Sequence, residues 1–473
     1  MMGRQDKQLK MLLLDLSSMV PKDHLLRAIK EHIDFDFIYD HVRDRYSTIG
    51  RPSIDPVLLI KMLLVGYLYG IKSERRLEEE VNLNIAYRWF CDLDLDQRVP
   101  DHSTFSQNRR RRFQDGQLFE DLWMGILQQI IQLNLLKGDI TACDGTYLPI
   151  QASSKSLADQ EVIIRKEMKS YLDLLDQELE KQPGFQVHES SESTKTIKIS
   201  RTDPEARWIT HGQRVCLGYL MQTSTDCSTG IITGVDVYPA NERESSIALR
   251  HLDKQIKNGV PIRRVVLDRG YDVGAVHRGL ELLGIEGWIA SIEFPNTADK
   301  KGMVYQPEKD VFICPNQKSL PFHHLVCQKS TGKYLRCYQA SREDCDACSR
   351  RQECLGKGVR RRRILASGYY PAFYRGRMRM QENPDQARYY LKLRQIWIEG
   401  RFSVLKREHK LSRLQKRGLI KAKEECILAC LANNLKKVAD IMASRSFAVI
   451  YFLTNFRPTR KYRRPSTSFA LQC

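Results

Sequence analysis

Three acidic residues, far apart in the sequence, have the types and settings from which a metal centre can be built. Asp144 and Asp268 follow short apolar runs at 139–143 and 264–267, which predict β-strands that end at each aspartate. Glu399 lies in a stretch with helical periodicity. A strand-terminal aspartate alone commonly caps a turn. Two of them together with a helix-borne glutamate indicate a shared site, since ligands gather at the carboxyl ends of strands in open α/β sheets.

The spacing around the glutamate predicts how it would reach the aspartates. Helical periodicity puts Glu399, Ser403 and Lys406 on one face. A second face, suited to packing on a sheet, carries Leu393, Trp397, Gly400 and Val404. Carboxylates that converge repel one another unless cations neutralise them, which predicts a Mg²⁺ (or Mn²⁺) site. Two such ions activate a water or a 3′-hydroxyl and stabilise the leaving oxygen of a phosphodiester.

The elements that must position these acids form an α/β pattern from residue 139 onward. The predicted order is β-β-β-α-β-α-β, a mixed sheet flanked by helices. Its strands and helices are expected at 139–144, 214–221, 230–238, 245–257, 264–268, a further helix, and 286–292. Between the first two strands, a charged helix is expected over 161–181, followed by a polar stretch to about residue 200.

Changes of composition divide the chain into five parts. Asp55 before Pro56, and Ser73 before Glu74, are start signals of helices in an almost wholly helical first part. The expected divisions are a helical DNA-binding domain (1–138), the first part of the catalytic domain (139–293), a cysteine-rich insertion (294–369), a helical part carrying Glu399 (370–445) and a basic tail (446–473).

The positive charge is concentrated in two segments. The chain of 473 residues has a net charge of +19. Residues 356–421 hold 19 Lys/Arg against 4 Asp/Glu, and residues 455–473 hold five Lys/Arg and no acid. Such local basic excess is typical of proteins that bind a polyanion, because each neutralised phosphate releases counterions. Solubility or contact with an anionic membrane is the alternative explanation.

The last predicted helix of the first part begins after the helix-breaking segment at 100–105. It carries four adjacent arginines, Arg109, Arg110, Arg111 and Arg112. Short helices joined by tight turns, with an arginine-bearing last helix, suit a helix-turn-helix-like DNA binder. A solvated helix face explains the same four residues equally well.

Six of the thirteen cysteines lie in the predicted insertion. Cys337, Cys345, Cys348 and Cys354 could supply four thiolates to a structural Zn²⁺. Cys314 or Cys327 could replace one of them, because the outer spacings are irregular, and free buried cysteines are the alternative. An odd cysteine number in a large chain argues against a disulfide framework.

Taken together, the three acids and the strand order resemble the ribonuclease-H-like fold of the DDE transposases. The chain is similar to bacterial insertion-sequence transposases with a helical N-terminal domain and a cysteine-bearing insertion. The matching segments are 51–61, 100–105, Asp144-Gly-Thr, His211-Gly, 267–271, 399–406 and 414–419.

The resemblance implies roles for particular residues. Asp144, Asp268 and Glu399 would be the catalytic metal ligands, and Lys406 would contact the DNA backbone near the cut end. Relatives often carry Tyr seven and Arg four residues before the Glu, whereas this chain has Lys392 and Gln395 there. The end-binding contacts are therefore the part of the pattern in which the chain departs from the family.

The expected function is cleavage and strand transfer at insertion-sequence ends, with double-stranded DNA (element ends and target) as the partner. A homodimer on DNA is expected because two ends must meet in one complex. Two alternatives remain: a ribonuclease-H-like nuclease without strand transfer, and a non-catalytic DNA-binding relative. No apolar run of about 18 residues or signal-peptide pattern occurs, so a cytoplasmic, nucleoid-associated bacterial protein without membrane contact is expected.

Overall fold

The computed structural model describes residues 15–455 with short gaps. The gaps are position 48 and residues 51–52, 153–155, 166–171, 187–191, 212–213, 292–301 and 329–332. Most of the predicted basic tail, at 456–473, lies outside the described residues.

The first part of the chain is helical, as predicted. Its helices are α1 (Leu16–Met19), α2 (Leu25–His32), α3 (Phe37–Val42), α4 (Pro56–Leu68), α5 (Glu74–Leu83), α6 (Ile85–Phe90), α7 (Ser103–Arg111) and α8 (Gln117–Gln132). The Asp55 side chain accepts hydrogen bonds from the Val57 and Leu58 amides, with Pro56 in the first turn of α4. The apolar residues of α4 are buried on nearly every side.

A mixed sheet follows, with the predicted order of strands and helices along the chain and one additional strand, β4 (Arg207–His211). Its strands are β1 (Ile140–Pro149), β4 (Arg207–His211), β5 (Arg214–Asp226), β6 (Ile232–Pro239), β7 (Arg264–Leu267) and β8 (Glu286–Ile289). They are ordered β4-β5-β1-β7-β8, and β6 also pairs with β5. β5 is antiparallel to β1, while β7 and β8 are parallel to it. Helices α10 (Glu244–Lys257) and α11 (Gly274–Leu282) connect the later strands.

The segment between the first two predicted strands differs from the expectation. The charged helix predicted over 161–181 is wrong in its first part, where β2 (Leu157–Arg165) pairs antiparallel with β3 (Glu192–Ser200). Only α9 (Asp173–Glu180) is helical. β-Branched residues are frequent in both segments, at 162–164 and at positions 194, 196, 197 and 199, which suits β-strands. Their pairing is nonlocal, so charge composition alone did not reveal it.

A second sheet lies within the predicted cysteine-rich insertion. Its strands are β9 (Val304–Gln306), β10 (Val311–Ile313), β11 (Ser319–Gln328), β12 (Lys333–Gln339) and β13 (Arg363–Ser367), ordered β13-β12-β11-β10-β9. The short helices α12 (Arg342–Asp346) and α13 (Arg351–Cys354) lie between the last two strands. Tyr305, Phe312, Tyr338 and Tyr370 form its aromatic core.

The remaining helices return the chain to the first sheet. They are α14 (Tyr370–Glu382), α15 (Pro384–Arg394), a π-helical turn (Gln395–Glu399), α16 (Gly400–Arg407) and α17 (Leu419–Asn455). The Asn434 side chain on α17 accepts a hydrogen bond from the Ile232 amide and donates one to its carbonyl, each at 2.8 Å. α17 also packs against α2, α4 and α8, so it joins the N-terminal helices to the sheet. None of the described helices combines the length and apolar composition required to cross a membrane.

Candidate active site

The two aspartates lie on neighbouring strands. β1 and β7 are parallel, with Ala142 paired to Val266, so the same register continued by two residues puts Asp144 beside Asp268. Asp144 is not at the end of β1, as the sequence suggested, because the long antiparallel partner β5 extends that strand to Pro149. The pairing of β1 with β7, in contrast, ends at Ala142, two residues before Asp144.

The environment of the aspartates disfavours uncompensated negative charge. Burial raises the pKa of Asp144 to about 6; the charge of Arg394 opposes this rise and that of Asp268 adds to it. The Asp268 carboxylate accepts a hydrogen bond from the Gly270 amide at 2.8 Å, which orients it at the end of β7. Two adjacent carboxylates, one of them largely buried, are therefore prepared for a cation.

Arg394 connects the third acid to the first. Its guanidinium Nη1 lies 2.6 Å from Asp144 Oδ2, and Nη2 lies 3.6 Å from Glu399 Oε1. Glu399 is 54% exposed, whereas the Asp144 and Arg394 side chains are 14% and 15% exposed. Ile398, next to the glutamate, is fully buried against Ala142 of β1. A positive group thus already lies between two of the three predicted ligands.

The π-helical turn explains the departure from the family pattern noted in the sequence. A π turn contains one more residue than an α turn and spans i to i+5. Residues Gln395–Glu399 form such a turn, so Arg394, five residues before Glu399, lies one turn before it. Arg394 therefore lies beside Glu399, whereas the resemblance implied an arginine at position 395. The same shift of one residue puts Leu391 at the position where the resemblance implied a tyrosine.

The same turn alters the predicted packing face of this helix. The expected apolar face was wrong in part: Gly400 is exposed, whereas Ile398, Arg401 and Leu405 are buried. The extra residue in the π turn rotates the positions that follow it. Arg401 is accommodated in the interior because its Nη1 donates to Asn433 Oδ1 at 2.8 Å.

Glu244 is a fourth acid that sequence reasoning missed. It is the first residue of α10, and a Cβ added at Gly145 would lie 2.6 Å from its Oε1. Its carboxylate therefore rests on the backbone directly after Asp144. Burial raises the pKa of Glu244 to about 7, and the charges of Asp144 and Asp268 add to this rise. A glutamate in a first helical turn is common, so its residue type gave no signal of a site.

We refer to Asp144, Glu244, Asp268 and Glu399 as the acidic cluster. A buried polar layer lies beneath part of it. The Gln222 amide on β5 donates to the Tyr271 hydroxyl and to Cys143 Sγ, each at 3.0 Å. Tyr271 is fully buried, and burial raises its pKa well above the ordinary value, so it stays a neutral hydroxyl.

Lys406 lies at the edge of the acidic cluster. Its Nζ donates to Thr146 Oγ1 on β1 at 2.9 Å, two residues beyond Asp144. Burial lowers the pKa of the partly buried Lys406. The lysine predicted to contact DNA is thus held on the strand that carries the first aspartate.

The arginine run on α7 divides into different environments. Arg109 contacts Glu74 and Glu424 at 2.6 and 2.7 Å with its side chain 10% exposed, so its predicted role as a DNA contact is corrected to an internal ion pair. Arg112 lies over the Tyr46 ring, 4.3 Å from its centroid. Arg110 and Arg111 are exposed. Helical geometry explains the division, because adjacent residues point about 100° apart.

The predicted zinc ligands do not all meet. Cys345, Cys348 and Cys354 line one small cavity, and Cys314 lines it with them. Cys337 lies instead in the interior strand β12, paired with β11 and β13 and 2% exposed. Its inclusion in the predicted set is corrected: Cys314, at the turn after β10, is the fourth cysteine of this cavity.

The acidic cluster has the donor chemistry of a divalent-metal site but is not closed around an ion. Among the described residues, the group whose ligand atoms all lie within 4.8 Å is Glu78, Asp101 and His102. That group is local to the start of α7: Glu78 Oε2 accepts from the His102 amide at 2.9 Å and lies 2.8 Å from its Nδ1. In the acidic cluster, the oxygen ligands, the raised pKa values of Asp144 and Glu244 and the bridging guanidinium fit a site that takes up cations.

Two family models match the chain. Residues 14–111 match the Transposase domain (DUF772), and residues 313–439, which include Glu399, match the Transposase DDE domain. No curated protein sequence matches the chain.

Distant similarity to solved structures was also found. A piggyBac transposase synaptic complex with hairpin DNA aligns with a TM-score of 0.35 and 8% identity, over 92% of this chain and 83% of that one. A Mos1 transposase paired-end complex with a left transposon end aligns with a TM-score of 0.17 and 12% identity, over 51% and 61%. The family matches, over the N-terminal helices and over the segment carrying Glu399, make this protein a DDE transposase, an enzyme of DNA transposition.

Proposed function

We propose that Asp144, Asp268 and Glu399 hold the Mg²⁺ ions (or Mn²⁺) with which this transposase cuts and joins DNA. Membership of the DDE transposases implies dependence on a divalent metal ion. The observation that carries the assignment is the position of Arg394, whose guanidinium lies between Asp144 and Glu399, with Asp268 on the neighbouring strand. A cation is needed there to balance the carboxylates, and Arg394 supplies one charge in the absence of metal.

The residues around the acidic cluster suit a phosphodiester substrate. When bound, a pair of Mg²⁺ ions would activate a water or a 3′-hydroxyl and stabilise the leaving oxygen. Lys406 and Arg394 supply positive charge beside the acids, where a DNA phosphate would otherwise meet repulsion. Glu244 would add a fourth carboxylate oxygen donor next to Asp144.

The DNA contacts of the proposal rest on exposed positive charge. Arg110 and Arg111 are exposed on α7, and Arg342 and Arg360–Arg363 surround an open pocket beside β13. Phosphate contacts from such side chains position the duplex without reading its sequence. We propose element ends and target DNA as the partners, and a homodimer as the form that holds two ends together. The place of action would be the bacterial cytoplasm, on nucleoid DNA.

The test separates binding from chemistry. A labelled duplex carrying the inverted repeats that flank the gene would be incubated with protein and Mg²⁺, Mn²⁺ or chelator. Glu399→Gln, Asp144→Asn and Asp268→Asn should each abolish cutting and joining, while end binding stays within a few-fold of the parent. Double substitutions should add little, because residues that act as a unit are non-additive. Glu382→Gln, an exposed glutamate at the end of α14, is the matched control and should react like the parent.

Each result has one meaning. If Glu399→Gln protein cuts and joins as the parent does, the third ligand is misassigned. If the parent cuts but yields no joined product with an added target duplex, the nuclease alternative replaces strand transfer. If light scattering gives the mass of one protein chain bound to one DNA end, and this complex has full joining activity, the homodimer is contradicted.

A further inference from the structure

Four cysteines from separate segments of the insertion converge on one cavity. Cys314 follows β10, Cys345 lies in α12, Cys348 follows α12, and Cys354 ends α13. All four line a cavity of about 30 Å³. The rest of the lining includes the apolar side chains Leu320, Ala340 and Leu355. Thiols that share one small cavity form a common site, unlike cysteines dispersed through a core.

Hydrogen-bond donors approach the sulfur atoms in this cavity. The backbone amide of Lys318 donates to Cys314 Sγ at 3.4 Å, and the Asn316 side-chain amide lies 3.6 Å from Cys348 Sγ. The turn that presents Cys314 is closed by a bond from the Gln317 amide to the Cys314 carbonyl at 2.8 Å, with Gln317 at φ 57°. N–H donors directed at sulfur are the kind of surrounding hydrogen bond that orients the ligands of a metal site.

Polar contacts also hold the two halves of the cavity together. Lys318 Nζ, beside the Cys314 turn, lies 3.0 Å from Asp344 Oδ1 on α12. Arg351 Nη1 donates to the Cys345 carbonyl at 3.1 Å, linking α13 to α12. These contacts bring the β10–β11 turn and both short helices to the same place in the fold.

We infer that Cys314, Cys345, Cys348 and Cys354 bind one structural Zn²⁺. Thiolates are soft ligands, and four of them in a closed tetrahedral set are typical of structural zinc. Among the described residues, no three of these sulfur atoms lie within 4.8 Å of one another, so zinc would draw the four side chains inward across the cavity. α12 and α13 are too short to be stable as isolated helices, so contacts such as zinc ligation would add to their stability.

The other two cysteines of the insertion lie elsewhere. Cys337 is enclosed by β11 and β13, and burial raises the pKa of its thiol. Cys327, on β11, packs in a separate apolar cluster with Leu179 and Tyr334. The spacing of cysteines in the sequence cannot distinguish these residues from Cys314, whereas the strand pairing does.

A zinc ion at this place would also fix an arginine-rich surface. The loop from Cys354 to β13 carries Arg360–Arg363, and Arg362 Nη1 donates to the Cys354 carbonyl at 3.4 Å. The proposed zinc site forms the base of this loop. Loss of zinc should therefore lower DNA affinity through the loop without altering the acidic cluster.

The experiment measures metal content of the full-length protein purified with zinc in the medium. The parent should contain about one zinc per chain. Cys314→Ser and Cys348→Ser should each lose most of it, whereas Cys337→Ala and Cys327→Ser should keep it. No zinc in the parent, or loss of zinc in Cys337→Ala with retention in Cys314→Ser, would overturn the assignment.

A second measurement needs no variant, so it holds even if the serine proteins fail to fold. Parent protein would be alkylated before and after zinc is removed with a chelator, and the modified cysteines located by mass spectrometry. Zinc removal should increase modification of Cys314, Cys345, Cys348 and Cys354 and leave that of Cys327 unchanged. Equal modification of the four in both states would contradict the site, whatever the fate of transposition activity.

Discussion

The acidic cluster predicts that, without metal, the protein is destabilised by its own charges at neutral pH. The informative perturbation is Glu244→Gln, which keeps the shape of the side chain and removes its charge. In the folded protein the pKa of Glu244 is raised from 4.5 to about 7, mainly by burial and further by Asp144 and Asp268. A raised carboxyl pKa means that the folded state holds the proton more tightly than the unfolded chain.

The sign and size of the effect follow from this difference. Well below pH 4.5, the Glu244 carboxyl is protonated in both the folded and the unfolded protein, so it does not lower the free energy of unfolding. Stability then falls as pH rises toward about 7, and the full cost remains above that pH. A shift of one pKa unit corresponds to about 1.4 kcal/mol, so the upper limit of the destabilisation by Glu244 is about 3 kcal/mol. Because the carboxylate is partly exposed, screening by solvent reduces this destabilisation to about 1–3 kcal/mol.

Urea unfolding, followed by tryptophan fluorescence with chelator present, tests the prediction. At pH 8, Glu244→Gln should be more stable than the parent by about 1–3 kcal/mol, and at pH 4.5 by much less. Mg²⁺ should stabilise the parent at pH 8 more than it stabilises the variant. Glu382→Gln, on the surface, should show neither effect. An equal gain at both pH values, or none at either, would refute the placement of Glu244 in the acidic cluster.

Three further results are expected. Arg109→Ala removes one of the two cations that pair with Glu424 and Glu74 and leaves only Lys416, so it should cost about 1–3 kcal/mol of unfolding free energy. Arg110→Ala on the exposed face should change stability by less than about 0.5 kcal/mol, and equal losses in urea unfolding would contradict the inward position of Arg109. Lys406→Ala should weaken end binding in a filter or gel-shift assay but retain metal-dependent cutting at saturating protein, and unchanged affinity would count against a phosphate contact. Finally, DNA affinity should fall steeply with salt, each phosphate contact adding roughly 0.9 to the log–log slope, and a flat profile would remove the electrostatic argument.

The parts of the fold that follow local patterns could be predicted from the sequence. Apolar runs before Asp144 and Asp268 indicated β1 and β7, and the alternation of strands and helices indicated the mixed sheet. The cap at Asp55 marked the start of α4 correctly. These features depend on periodicity and turn chemistry within about ten residues, which a single sequence displays directly.

Features that depend on contacts between distant segments could not be predicted in this way. The β2–β3 hairpin joins residues about 35 positions apart across a segment that includes α9. Glu244 meets the aspartates only because α10 begins at the same edge of the sheet. Cys314 replaces Cys337 in the thiol cavity because strand pairing encloses one residue and a turn exposes the other. None of these three contacts can be recognised from the residue types or their spacing in the sequence.

The π-helical turn shows how a departure in sequence can preserve an arrangement in space. An arginine one position too early would point about 100° away from its place in a regular α-helix. The wider turn at Gln395–Glu399 absorbs the extra residue and returns Arg394 to the side of Glu399. π turns are uncommon, and they occur frequently at functional sites. Here Ile398, buried against β1, supplies that support.

The two segments matched by transposase families are connected through the interior of the protein. Arg109 on α7 binds Glu74 on α5 and Glu424 on α17 in one buried ion-pair group. α17 in turn packs on α4 and holds β6 through Asn434. DNA bound at the exposed side of α7 would therefore be fixed relative to the acidic cluster by packing. If α7 binds a DNA end as proposed, weakening the Arg109 group should therefore disturb both stability and the alignment of that end with the acidic cluster.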